Sequence, residues 1–131
     1  MTIGLGIDLI GIARVEKALS RTPRFLARVY TEEEQAIIAR KGPQTAAGFF
    51  AAKEAVAKAL GTGFNGFWAQ DISLSEDELG CPHAKLTGGA LERFRAIGGE
   101  YLHVSVTHSD GFAAAVAVID GHEPSKEAEE G

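Results

Sequence analysis

Cysteine is nearly absent from the chain: Cys81 is the only one, so an internal disulfide is impossible and a multi-cysteine metal site is excluded. That economy suits a reducing cytosol, and a cytoplasmic location is the expectation. Long apolar runs are missing as well; none approaches the ~18 residues a membrane helix needs. The opening Met1-Thr2-Ile3-Gly4-Leu5-Gly6-Ile7-Asp8 has no basic segment and reads poorly as a secretory signal. Excess positive charge is lacking too. The net charge of −5 argues against bulk affinity for nucleic acid. His83, His103, His108 and His122 form no zinc spacing. Gly4-Leu5-Gly6 with Gly11 does not spell the dinucleotide fingerprint, and no Gly-Lys-Ser/Thr follows Gly61-Thr62-Gly63, so a Walker A loop is unsupported.

What remains is an ordinary globular composition over 131 residues, the length of one domain. Such a chain buries roughly two-thirds of its surface, enough for one core. Charge is unevenly spread. The first 30 residues carry Arg14, Lys17, Arg21, Arg24 and Arg28 against Asp8 and Glu16. The end carries Asp120, Glu123, Glu127, Glu129 and Glu130 against Lys126. A basic patch on an acidic chain suggests an acidic partner, although a solvated helix face has the same composition. The domain is expected over 1–120, with 121–131 an acidic, disordered tail.

Ile3, Leu5, Ile7 and Leu9 alternate with Gly4, Gly6 and Asp8, a period-two strand with Asp8 opposite the aliphatic row. A helix over about 12–20 turns Ile12, Val15 and Leu19 inward, and a short helical turn carries Phe25, Leu26 and Val29. Thr31-Glu32-Glu33-Glu34 reads as a capping box. After the Gly42-Pro43 break, an alanine-rich helix spans about 44–60 and stops at Gly61. Strands at about 71–75 and 84–87 pair as a hairpin, and Thr87 caps a helix over 90–97. Strands at 101–107 and 112–119 close the domain; the second is nearly all apolar and therefore central. This order of elements predicts an α+β fold, mostly antiparallel sheet against one long buried helix and shorter helices.

Three groups could carry chemistry. Asp8 in an apolar strand is costly to bury unless paired or metal-bound, but backbone donors at a strand end would also satisfy it. Glu54 and Lys58 have the spacing of an exposed helix ion pair, worth about 0.3–0.5 kcal/mol. Their helix, however, is apolar almost all round and hence buried, so its charges are less readily idle. Two carboxylates with oxygen ligands point to Mg²⁺. Gly61-Thr62-Gly63 could approach a phosphate through bare N–H groups. His103, Ser105 and Thr107 share one face of a strand and His108 begins the turn: a ligand wall, or the solvent face of an edge strand.

Four segments in order carry a resemblance: Gly4-Leu5-Gly6-Ile7-Asp8-Leu9; Arg24-Phe25 with Arg28 and Thr31-x-x-Glu34; Phe50-Ala51-Ala52-Lys53-Glu54-Ala55 with Lys58-Ala59-Leu60-Gly61-Thr62-Gly63; and His103-Val104-Ser105-Val106-Thr107-His108. Together they resemble the holo-acyl-carrier-protein synthases, the small bacterial class of 4′-phosphopantetheinyl transferases. The resemblance implies transfer of 4′-phosphopantetheine from coenzyme A to a serine of an apo-acyl carrier protein, or of a carrier domain of a fatty acid synthase, in fatty acid biosynthesis. It implies Mg²⁺ on Asp8 and Glu54, with Lys58 facing the reacting phosphate. Lys53, Lys58 and Gly61, Thr62 and Gly63 are expected on the coenzyme, with His103, Ser105, Thr107 and His108 along its adenosine and phosphates. Arg14, Arg21, Arg24 and Arg28 match the docking surface for the acidic carrier. It also implies a homotrimer with each active site between two subunits.

Glu54, a water held by a carboxylate, and His108 remain open as the base. A magnesium-dependent phosphohydrolase and a non-enzymatic coenzyme A-binding module are the alternative classes. The chain departs from the family pattern at Phe49, where arginine is common, and at Ser109, where some relatives carry aspartate.

Overall fold

A computed structural model describes residues 1–122. Strand β1 (Thr2–Gly11) leads into helices α1 (Ile12–Arg21), α2 (Phe25–Val29), α3 (Glu32–Lys41) and α4 (Pro43–Ala59). A 3-10 turn (Ala69–Asp71) precedes β2 (Ile72–Glu76) and β3 (Pro82–Leu86); α5 (Gly88–Ala96), β4 (Gly99–Ser109) and β5 (Phe112–Gly121) follow. Among the described residues every strand pairing is antiparallel: one three-stranded sheet in the order β1-β5-β4 and the β2-β3 hairpin. The apolar last strand is central, as its composition predicts, and the fold is α+β.

The core is the contact between α4 and the inner face of the larger sheet. That face is built from small residues. Gly6 of β1 lies opposite Ala117 of β5 and Gly4 opposite Ile119; Ala115 and Ala113 continue the face opposite Asp8 and Ile10, while Ala51, Ala52, Ala55 and Ala59 come from the helix. Methyl-sized and bare positions let helix and sheet backbones approach closely. A methyl built on Gly6 would lie 1.8 Å from the carbonyl oxygen of Ala55, and one on Gly4 would lie 2.4 Å from that of Ala59. The aliphatic row of β1 faces outward instead: Leu5, Ile7 and Leu9 are each about two-thirds exposed.

The local signals hold with small shifts. Thr31 and Glu34 form the capping box, and Pro43 begins α4 in its first turn. Gly61 ends α4 with a left-handed φ of 83°, which glycine adopts freely. Asp110 and Gly111 link β4 to β5 with φ of 51° and 79°, the two positive values a tight primed turn requires. Two expectations are corrected. Thr87 precedes α5, but its side chain makes no capping bond; its N–H donates to the Asp71 carbonyl at 2.8 Å. Order also extends past the expected boundary at 121, because Gly121 is buried in β5 and its N–H donates to the Met1 carbonyl. The rest of the expected acidic tail, 123–131, lies outside the described residues. Among those described, no helix is long and apolar enough to cross a membrane.

Candidate active site

Alternation in β1 turns Asp8 to the inner face, toward α4. There Lys58 donates to Asp8 Oδ1 at 3.1 Å and to the Ile7 carbonyl at 3.0 Å. The i,i+4 spacing of Glu54 and Lys58 does not make a helix pair: the lysine bridges helix to strand. Glu54 is one turn before Lys58 on the same helical face. It shares with Asp8 a cleft of about 410 Å³, lined also by Arg14, Val15, Ala18, Phe25 and Phe50. Burial raises the Glu54 carboxyl above the ordinary carboxylate range, and the Asp8 charge adds to this, while Lys58 opposes it.

Lys53 departs from the expectation that it meets coenzyme. It is buried, pairs with Glu34 at 2.8 Å and donates to the carbonyls of Ala69 (2.9 Å) and Ile72. Glu34 also accepts from the N–H groups of Thr31 (2.7 Å) and Leu74 (2.9 Å), so the buried pair leaves neither charge bare. Successive helical residues point about 100° apart. Lys53 thus anchors α4 to α3 and β2, while Glu54 is turned to the cleft. The role of Glu34 was hidden because the capping box already explained it.

Gly61, Thr62 and Gly63 follow directly on the Lys58 turn. Gly63 N–H donates back to Ala57 at 3.2 Å, and Arg93 Nε holds the Leu60 carbonyl at 2.9 Å. Arg14, Arg21, Arg24 and Arg28 are all exposed on α1, α2 and the residues flanking them. Arg14 alone reaches the rim of the cleft.

The histidine row is not beside the carboxylates. His103, Ser105 and Thr107 lie on the outer sheet face, in register with Val118, Val116 and Ala114 and, beyond them, with Leu5, Ile7 and Leu9. His108 belongs to β4 rather than to the turn and points to the other face, near Gly48. It shares a small cleft with Thr45, Phe49 and Pro82. Within one chain the sheet separates His103, Ser105 and Thr107 from Asp8 and Glu54. Phe25 and Phe50 also line the carboxylate cleft, a role the sequence reading did not assign to them. Phe50 is four residues before Glu54, and helical phase alone would have put both on one face.

Residues 4–117 match the model of the 4′-phosphopantetheinyl transferase superfamily. The chain is 45% identical over 122 residues to a holo-[acyl-carrier-protein] synthase of Clostridium novyi, covering 92% of this chain and 88% of that protein. It is 46% identical over 123 residues to that of Solidesulfovibrio magneticus, covering 92% and 100%. The crystal structure of the Helicobacter pylori holo-[acyl-carrier-protein] synthase in complex with coenzyme A superimposes with a TM-score of 0.79 at 35% identity, covering 88% of this chain and 99% of that one. On sequence, fold and the cleft between β1 and α4 together, the chain belongs to the 4′-phosphopantetheinyl transferase superfamily and, within it, to the holo-[acyl-carrier-protein] synthases.

Proposed function

We propose that this chain transfers the 4′-phosphopantetheine group of coenzyme A to a serine of an apo-acyl carrier protein, or of a carrier domain of a fatty acid synthase, and releases 3′,5′-ADP. The observation that carries the reading is the cleft shared by Asp8 and Glu54, with Lys58 held on Asp8. The related Helicobacter pylori protein binds coenzyme A.

The donor set fits Mg²⁺. No group of three or more His, Cys, Asp or Glu side chains is arranged for a metal among the described residues. Two carboxylates are what Mg²⁺ uses when water and substrate phosphate supply the other oxygens. When bound, Mg²⁺ offsets the charge of the pyrophosphate oxygens. Lys58 supplies a fixed positive charge beside Asp8, worth most as negative charge builds on the leaving phosphate. The serine oxygen forms a bond to the β-phosphorus, the bond to 3′,5′-ADP breaks, and the hydroxyl proton passes to Glu54 or to a water it holds. Glu54, whose carboxyl pKa is raised by burial above its ordinary value, suits that step better than His108, which faces a different cleft.

The glycine loop at 61–63 lines the coenzyme next to Lys58. His103, Ser105 and Thr107 meet it from a second copy of the chain, across a homotrimer interface. Support for that assembly comes from the outward row of Leu5, Ile7 and Leu9, an apolar face that solvent alone would leave uncovered. Sedimentation at three chain masses is the expected result; a stable monomer with full activity would overturn it.

Incubation with coenzyme A, Mg²⁺ and an apo-carrier protein should add one phosphopantetheine to the carrier by mass spectrometry. Hydrolysis of coenzyme A without an acceptor would point to a phosphohydrolase, and binding indifferent to Mg²⁺ without turnover to a binding module. Arg21→Glu should raise the carrier KM and weaken its salt dependence while coenzyme A binding is untouched, because exposed charges act through screened attraction. An unchanged carrier KM would return these arginines to an idle solvated face.

A further inference from the structure

Trp68 is the only tryptophan of the chain and stands 81% exposed in the segment between α4 and β2. Phe64 is about one-third exposed beside it, and stacks edge-on against the buried Phe67 at 5.6 Å. Phe64, Gly66, Phe67, Trp68 and Ala69 form a shallow groove of about 480 Å³. Nothing in the fold or the proposed reaction uses this aromatic surface.

The backbone beneath it is held firmly. Trp68 N–H donates to Asp71 Oδ2 at 3.2 Å, and the Ala69 carbonyl accepts from the buried Lys53 at 2.9 Å. Gln70 Nε2 donates to the carbonyls of Ala27 and Tyr30, fastening the segment to α2. The segment that carries Trp68 is thus packed, at Gln70, on the helix that bears Arg28 and is preceded by Arg24, both exposed. A rigidly mounted tryptophan, on a segment fastened to an arginine-bearing helix, has the composition of a protein-binding hot spot, where an apolar ring supplies buried area and charges select an acidic partner. Rigidity lowers the ordering cost of binding.

We propose that Trp68, with Phe64, is the apolar anchor of the carrier-protein docking surface, extending the basic face of α1 and α2 onto the segment that follows α4. The occupant is the acidic carrier protein: Gln70 ties the segment of the groove to α2, whose arginines, with those of α1, have the complementary charge. The inference rests on the carrier-docking reading above. It adds that recognition is part apolar and so part insensitive to salt.

A lone tryptophan makes the test direct. An apo-acyl carrier protein without tryptophan, its acceptor serine replaced by alanine, is titrated into the wild-type chain. The Trp68 emission should shift to the blue, and coenzyme A alone should leave it unchanged. Trp68→Ala should raise the carrier KM about tenfold, at low and high salt alike, as expected for loss of a hot-spot ring. Trp68→Phe should keep most of the affinity, with the KM for coenzyme A as the internal control. The proposal is overturned by an emission shift on coenzyme A alone, which would put the ring on the coenzyme. It is equally overturned by emission already blue and dependent on enzyme concentration, which would put it against a second copy. No shift together with an unchanged carrier KM returns Trp68 to solvent. Absence of any mass gain on a transferable carrier with the wild-type chain would sink the transferase reading instead, a distinct outcome.

Discussion

Glu54→Gln abolishes transfer yet raises the thermal stability of the metal-free chain at neutral pH. The two effects have one cause. Burial first, and the Asp8 charge second, lift the Glu54 carboxyl above its ordinary value of 4.5. A folded chain that holds this proton more tightly than the unfolded chain is favoured below the unfolded pKa. The advantage is lost as pH rises through the folded pKa. Above the folded pKa the ionised Glu54 is therefore a burden on the fold, and glutamine removes the charge while keeping the shape. Function needs that charge: with Asp8 it makes up the pair that would hold Mg²⁺. Loss of such a stabilising group lowers turnover by about 10²–10³-fold or more.

A thermal shift separates these claims from activity alone. Mg²⁺ should raise the melting temperature of the wild-type chain, because a ligand of the folded state stabilises it by mass action. The same addition should leave Glu54→Gln unmoved. Transfer by the wild type should also fall as pH drops toward the raised Glu54 pKa, since the protonated acid can neither accept a proton nor hold a cation. Full activity in Glu54→Gln, or an equal response of both proteins to Mg²⁺, would overturn the assignment.

Gly6→Ala should leave no folded chain. The added methyl would sit 1.8 Å from the Ala55 carbonyl oxygen and 2.8 Å from the Ala59 nitrogen, both backbone atoms that no rotamer change can move. Strand β1 would have to lift from α4, and this contact is the centre of the core. Overpacking a tight core costs about 1–3 kcal/mol when side chains can give way, and more when they cannot. A small domain has only about 5–15 kcal/mol in all. Any surviving fraction should also lose activity, because Asp8 is two residues along the displaced strand. Gly11→Ala is the control: nothing lies within 4 Å of a methyl there, and its position before α1 limits the cost to about 1 kcal/mol. Urea unfolding of the two variants measures the contrast; equal midpoints would show that the close approach of helix and strand does not hold the fold.

The elements themselves were legible because their signals are local. The Thr31–Glu34 box, Pro43 at the head of α4, Gly61 at its end and the apolar run of β5 each act over a few residues, and each sits where the pattern put it. The carboxylates were legible as an oddity: charge in an apolar strand and in an apolar helix. Three matters were not local. Alternation gives β1 two faces but does not say which is inside. The glycine face went in because an alanine-rich helix can lie flat on it, leaving Leu5, Ile7 and Leu9 outside. Lys53 and Glu54 are neighbours of equal promise in sequence; Glu34, 19 residues away in the chain, waits inside for the lysine, and that pairing turned the glutamate to the cleft. Lys58 looked like the partner of Glu54 on its own helix, yet Asp8 on the facing strand holds it, because packing β1 on α4 brings the two charges to 3.1 Å. Residue order dictates which side chains are able to do the chemistry; which of them meet depends on how closely one helix can approach one sheet.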